Sequence, residues 1–197
     1  MQATIATLTI EGITPYSASR QHDEPKLDGE SPNDYDKRTW RSKLNVEERN
    51  GQKSVVFPAH GVAQALAAAA KYSKKKIPGQ RNATWTQKFV AGVALLENPS
   101  LNVDPATVSS ITVSCNADGV RGSGKRVPRI FPVMPKWSST FEVYILDPSI
   151  TREVFEEMVE LAGMFIGLGR FRPEKGGTNG RFRMVSLDWH DNRAFAA

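Results

Sequence analysis

The sequence predicts an α+β fold, and three observations carry that prediction. Four short segments alternate apolar or β-branched with polar residues, as half-buried strands do: Ala3–Ile10, Val108–Cys115, Ser139–Leu146 and Arg181–Trp189. Two segments, Gly61–Tyr72 and Ile150–Phe165, have helical character instead. The two kinds of segment interleave along the chain.

Taken in order, ATIATLTI (Ala3–Ile10) is the first strand. Residues 14–51 are rich in Asp, Glu, Ser, Pro and Asn and lack periodic apolar content, so an exposed, partly disordered loop is expected there. Ser54–Phe57 turns apolar again, and Pro58 suits the first turn of a helix. The alanines of GVAQALAAAAKY (Gly61–Tyr72) favour a helix and allow close packing. Lys74–Asn82 is a basic turn around Pro78-Gly79. Trp85–Leu96 fits either a helix or a strand, and its aromatic and β-branched residues favour the strand. After the strand at Val108–Cys115, the glycines and prolines of 116–136 predict a projecting hairpin or loop. Asp147-Pro148-Ser149 opens the second helix, in which Val154, Met158, Leu161 and Phe165 share one face. A glycine-rich loop and the strand Arg181–Trp189 complete the chain. Without its insertions (14–51 and 116–136) the order approximates a ferredoxin-like, RRM-like β-α-β-β-α-β core, expected as one domain over 1–197.

Composition narrows the function. No apolar run approaches the roughly 18 residues that span a bilayer, and the N-terminus lacks the pattern of a signal peptide, so a cytoplasmic protein without membrane contact is expected. The single cysteine, Cys115, excludes an internal disulfide and a cysteine-rich zinc site. Net charge is +5, and it is segregated. Lys71, Lys74, Lys75, Lys76, Arg81, Lys88, Arg121, Lys125, Arg126, Arg129 and Lys136 face only Glu97, Asp104 and Asp118 over the same stretch. Such segregation makes a local positive field that attracts polyanions.

The most informative stretch is IGLGRFRPEKGGTNGRF, Ile166–Phe182. Gly167, Gly169, Gly176, Gly177 and Gly180 mark a loop that another backbone can approach closely, and Arg170, Arg172, Lys175, Arg181 and Arg183 bring phosphate-seeking charge. The loop lacks the Gly-Lys-Ser/Thr ending of a nucleotide-binding P-loop and follows a helix, not a strand; no cofactor and no metal are expected. Trp85, Phe131, Trp137 and Phe171 lie among the basic segments as candidates for stacking on bases. Catalytic residues are not evident. His190-Asp191 would point to opposite strand faces, and His60 at a helix start can contact a phosphate or cap the helix.

The helix followed by Ile166-Gly-Leu-Gly-Arg170 and Gly176-Gly-Thr-Asn-Gly-Arg-Phe182 resembles the C-terminal glycine-rich loop of the RAMP superfamily, the RNA-binding backbone subunits of CRISPR effector complexes. Phe57–Val62 before an alanine-rich helix is similar to the strand-to-helix entry of those proteins, and 116–135 stands where they carry a projecting thumb. The resemblance implies a non-catalytic subunit, cellular or viral, that assembles along single-stranded RNA with itself or other effector subunits; DNA remains open. The expected nucleic-acid-binding residues are Lys74, Lys75, Lys76, Arg81, Arg121, Lys125, Arg126, Arg129, Arg170, Arg172, Lys175 and Arg181, with the five glycines admitting the backbone. Two alternatives stand beside it. One is a viral interaction or structural protein that imitates such a subunit. The other is a metal-dependent RNA nuclease using the acidic loop of His22, Asp23, Glu24, Asp28, Asp34 and Asp36.

Overall fold

The computed structural model describes residues 2–116 and 124–194. A four-stranded antiparallel sheet is built from β1 (Gln2–Gly12), β5 (Val93–Ala94), β8 (Ser138–Ile145) and β9 (Phe182–Ala194), in the order β5-β8-β1-β9. Two helices, α2 (Ala59–Ser73) and α4 (Arg152–Leu161), pack on one face of it. The path β1-α2-β5-β8-α4-β9 with this strand order is the ferredoxin-like arrangement, as the sequence pattern predicts.

The two faces of β1 explain the layering. Ala6, Leu8 and Ile10 point into the core, against Val62, Ala65 and Leu66 of α2 and Phe155, Met158 and Val159 of α4. Thr7 and Thr9 take the other face. Thr151 caps α4 by accepting from the Val154 amide, so the helix starts a little later than Asp147-Pro148-Ser149 suggests. Asp147 instead makes a local turn by accepting from the Ser149 amide at 2.9 Å. After Leu161 the helix widens into a π turn, Ala162–Ile166, closed by Gly167 N–H to the Ala162 carbonyl at 2.7 Å. A Cβ on Gly163 would lie 2.2 Å from the Phe182 carbonyl oxygen, so glycine permits the turn to sit against β9.

Two expectations need correction. Trp85–Leu96 is mostly helix: α3 (Thr86–Gly92) leads into β5, only two residues long. Trp85 and Phe89, four apart, are both buried, and Phe89 stacks on Phe155 at 6.5 Å. Packing against α2 and, through Phe89, against α4 outweighs the strand propensity of the segment. The 14–51 stretch is not an unstructured loop either. It holds β2 (Tyr16–Ser17), α1 (Pro32–Thr39), a 3-10 turn (Trp40–Lys43) and β3 (Val46–Arg49), which pairs with β4 (Gln52–Val55).

The strand at Val108–Cys115 is β6 (Ser109–Asn116), and it belongs to a second sheet. It pairs with β7 (Arg126–Met134) in a hairpin, and β7 also meets β2 at Val133–Met134. Pro128, Ile130 and Pro132 turn their backbone nitrogens away from β6, and β2 is too short to cover them. An ion pair covers that open edge instead. Asp36 accepts the Ile130 N–H at 2.8 Å, Lys43 donates to the Ile130 carbonyl at 2.7 Å, and Lys43 and Asp36 pair at 2.9 Å. Asp36 is 3% exposed. The polar segment is therefore ordered by the hairpin it supports.

Asp36→Ala would leave the largely buried Lys43 ammonium unpaired and should cost about 3 kcal/mol in urea unfolding. Asp36→Asn, which can still accept from Ile130, should cost less. A loss below about 0.5 kcal/mol for Asp36→Ala would contradict this account of the hairpin.

Candidate nucleic-acid interface

The glycine loop is held by its own backbone. Leu168 N–H donates to the Gly180 carbonyl (2.9 Å), Asn179 N–H to the Phe171 carbonyl (2.9 Å) and Gly180 N–H to the Pro15 carbonyl (2.8 Å). Arg170 N–H donates to the Ser17 carbonyl at 2.7 Å, so the loop lies along β2. These contacts leave no room for side chains. A Cβ on Gly180 would sit 1.9 Å from the Leu168 oxygen, one on Gly177 1.9 Å from the Phe171 oxygen, and one on Gly169 2.3 Å from the Tyr16 ring. The backbone these glycines admit at such range is the protein's own.

The loop forms one wall of a groove of about 870 Å³, and the first turns of α2 form the other. Pro58, His60, Gly61 and Gln64 line the helix side, and Gly167 to Gly177 the loop side. Ser19, Arg20, Gln21 and Asn45 close one end. A helix N-terminus carries partial positive charge from its unpaired amides. Ala59 N–H is taken by Asn98 Oδ1 at 2.7 Å. The Asn98 amide group in turn donates to Glu47 and, as the main cause, holds that carboxyl below its usual range; burial opposes this and Arg49 adds to it.

Four cations, Arg20, Arg170, Arg172 and Lys175, line the groove against one carboxylate, Glu174. Glu174 pairs with Arg172 at 2.9 Å and Lys175 at 3.5 Å. Arg170 is held otherwise: its guanidinium lies 4.0 Å from the Phe131 ring centroid and 4.8 Å from that of Phe171, and donates to Ser19 Oγ at 3.2 Å. Its Nε is buried without an acceptor among the described residues. Aromatic faces fix this cation and leave its charge unneutralised, the arrangement that suits a phosphate.

The other residues singled out from sequence lie elsewhere. Lys74, Lys75, Lys76 and Arg81 follow the far end of α2, a helix of 15 residues and therefore about 22 Å long. There Lys75 pairs with Glu157 and Lys76 donates to Asn82 at 3.0 Å. On the hairpin, Arg126 donates to the Ser114 carbonyl at 2.5 Å, Arg129 lies 3.8 Å from Asp36, and Lys125 is exposed. Arg121 lies outside the described residues. Arg181 donates to the Met164 carbonyl at 3.0 Å, away from the groove lining. Trp85, Phe131 and Trp137 are buried at 3%, 5% and 5% exposure and cannot stack on bases; Phe171, half-buried, lines the groove. Arg20 and Gln64 were not singled out from sequence. Arg20 sits in the polar stretch, where nothing marks one arginine above its neighbours.

The open face of the main sheet is a poor platform for bases. Register places Thr7 between Glu142 and Asp188, and Thr9 between Thr140 and Ser186, while Arg183 is paired with Glu11 at 2.6 Å. RRM-type recognition needs exposed aromatic rings on that face, whereas Tyr144 of β8, which shares the face with Glu142 and donates to it, is only 9% exposed. In the acidic stretch, Asp36 serves the hairpin and Asp34 the cap of α1. Among the described residues no three His, Cys, Asp or Glu side chains gather as a metal site, and no helix is long and apolar enough to cross a membrane.

No protein-family model and no curated protein matches the sequence. Solved structures do match the fold. A chain from the Type III-B Cmr-beta complex bound to cognate target RNA superposes with a TM-score of 0.51 at 15% identity, over 96% of this chain and 61% of that one. Cmr6 from Pyrococcus furiosus superposes with a TM-score of 0.50 at 11% identity, over 94% of this chain and 100% of that one. The chain shares the fold of these two structures. The chain thus spans about three fifths of the Cmr-beta chain and the whole of Cmr6. Within this fold, the groove lies beside the glycine loop that carries the sequence resemblance.

Gly180→Ala should cost at least about 2 kcal/mol in denaturant unfolding, since it adds a clash to the ~1–2 kcal/mol of left-handed backbone. Gly79→Ala, at the same φ but with open space around its Cβ, should cost only the backbone part. Equal losses for the two would contradict the close-packed loop.

Proposed function

We propose that this chain is a non-catalytic RNA-binding subunit of the CRISPR effector type, which holds a single strand of RNA in the groove between the α2 N-terminus and the glycine loop. The observation that carries this is Arg170, a cation held against two aromatic rings with no carboxylate partner among the described residues, in a groove with three more cations and one acid. Single strands are held in this way, by basic grooves that track the backbone with little demand on sequence. The shared fold supports the same reading, because one neighbour was solved with target RNA bound. Self-association or assembly with other effector subunits along the strand belongs to this proposal, as does a preference for RNA over DNA. The acidic stretch takes no part in chemistry here.

The test is titration of a labelled ~30-nucleotide single-stranded RNA at several salt concentrations, with light scattering to follow growth of the complex, and single-stranded DNA as comparator. Wild type should bind with salt-dependent affinity and grow stepwise. Arg20→Ala with Arg170→Ala should weaken binding and reduce the slope of log K against log salt by about 1.4, near 0.7 for each lost phosphate contact. Unchanged affinity and slope would refute the groove assignment.

A further inference from the structure

One feature of the surface has no part in the groove chemistry above. Tyr72 and Phe165 stack on each other with ring centroids 5.1 Å apart and planes 20° from parallel, yet they remain 54% and 48% exposed. Each ring therefore covers one face of the other and leaves much of its surface to solvent. The π turn produces this exposure: it directs two consecutive apolar residues, Met164 and Phe165, outward while Ile166 stays buried.

The pair continues the groove. On α2, Gly61, Ala65 and Ala68 line the groove wall, and Tyr72 is the next residue on the same stripe, at i+4 from Ala68. On the opposite side, Phe165 immediately precedes Ile166 and Gly167, which line the loop wall. The fringe is cationic. Lys71 and Lys74 stand either side of Tyr72 in sequence and are exposed, and Arg181 donates to the Met164 carbonyl beside Phe165. Among the described residues, none of these three cations has an ion-pair partner. An exposed apolar patch with Lys71, Lys74 and Arg181 at its edge, continuous with a basic groove, suits a nucleobase whose phosphates need neutralising.

We propose that Tyr72 and Phe165 form a stacking platform for a base of the strand whose backbone runs through the groove. This rests on the RNA reading above. It gives Lys74 and Arg181, which the groove does not use, a place next to the phosphates of the stacked nucleotide.

The experiment compares Tyr72→Ala with Phe165→Ala, Tyr72→Phe, and Arg20→Ala with Arg170→Ala on the same single-stranded RNA, reading affinity at several salt concentrations. Stacking on one platform is worth roughly tenfold in affinity, and it releases no counterions. The double aromatic variant should bind about tenfold more weakly with an unchanged salt slope, Tyr72→Phe should bind as wild type, and a 2-aminopurine base should lose its quenching only in the alanine variant. If the aromatic variant binds and quenches like wild type while the arginine variant weakens, the platform is refuted and the groove stands. If neither variant changes binding, both fail. If the aromatic variant binds RNA normally but loses self-association, the pair is a protein contact and the platform is refuted.

Discussion

The site depends on how closely the 167–180 loop approaches β2. Arg170 N–H reaches the Ser17 carbonyl and Gly180 N–H reaches that of Pro15, contacts possible because Gly169 puts no side chain against Tyr16. Tyr16 and Ser17 also pair with β7, so one short strand links the loop to the hairpin sheet. This link brings Phe131 of the hairpin under the Arg170 guanidinium, with Phe171 beside it. The left-handed backbone at Phe171 (φ 58°) is a small local strain, held by the surrounding contacts, that sets this ring in place. A side chain at 169 or 180 would move the loop and take the cation with it.

Charge is distributed by partner more than by number. Arg126, Arg129, Lys43 and Lys75 are engaged with carbonyls or carboxylates and serve the hairpin and the helix packing. Lys74–Lys76 also follow the C-terminal end of α2, where the helix dipole favours cations. Arg20 and Arg170 have no carboxylate partner among the described residues, and both line the groove. The acids follow the same logic: Asp36 closes a strand edge, and Glu174 neutralises part of the groove wall.

Much of the fold was legible because its signals are local. Alternation in ATIATLTI and STFEVYIL, alanine in α2 and the acid face of α4 all report elements that tertiary packing left in place. Trp85–Leu96 was misread because Trp85 and Phe89 are buried at helical spacing, with Phe89 meeting Phe155 of α4, a contact between distant parts of the chain. The 14–51 segment hid its structure for a related reason: α1 has a polar surface and is held by an ion pair to a hairpin some 90 residues later. In the site, the glycine loop was visible as a motif. Its partners on α2 and at Ser19–Gln21 were not, since clustering in sequence places Lys74–Lys76 with α2 but cannot show that they follow its C-terminal end, outside the groove lining.

A single strand of RNA in the proposed groove would lie on the helix-and-loop side and not on the open face of the sheet. Hydrogen–deuterium exchange with and without a ~30-nucleotide RNA tests this most directly. New protection is expected at residues 17–21, 58–68 and 166–177, with β1 and β8 unchanged. Protection of β1, β8 and β9 with none in the loop would contradict it.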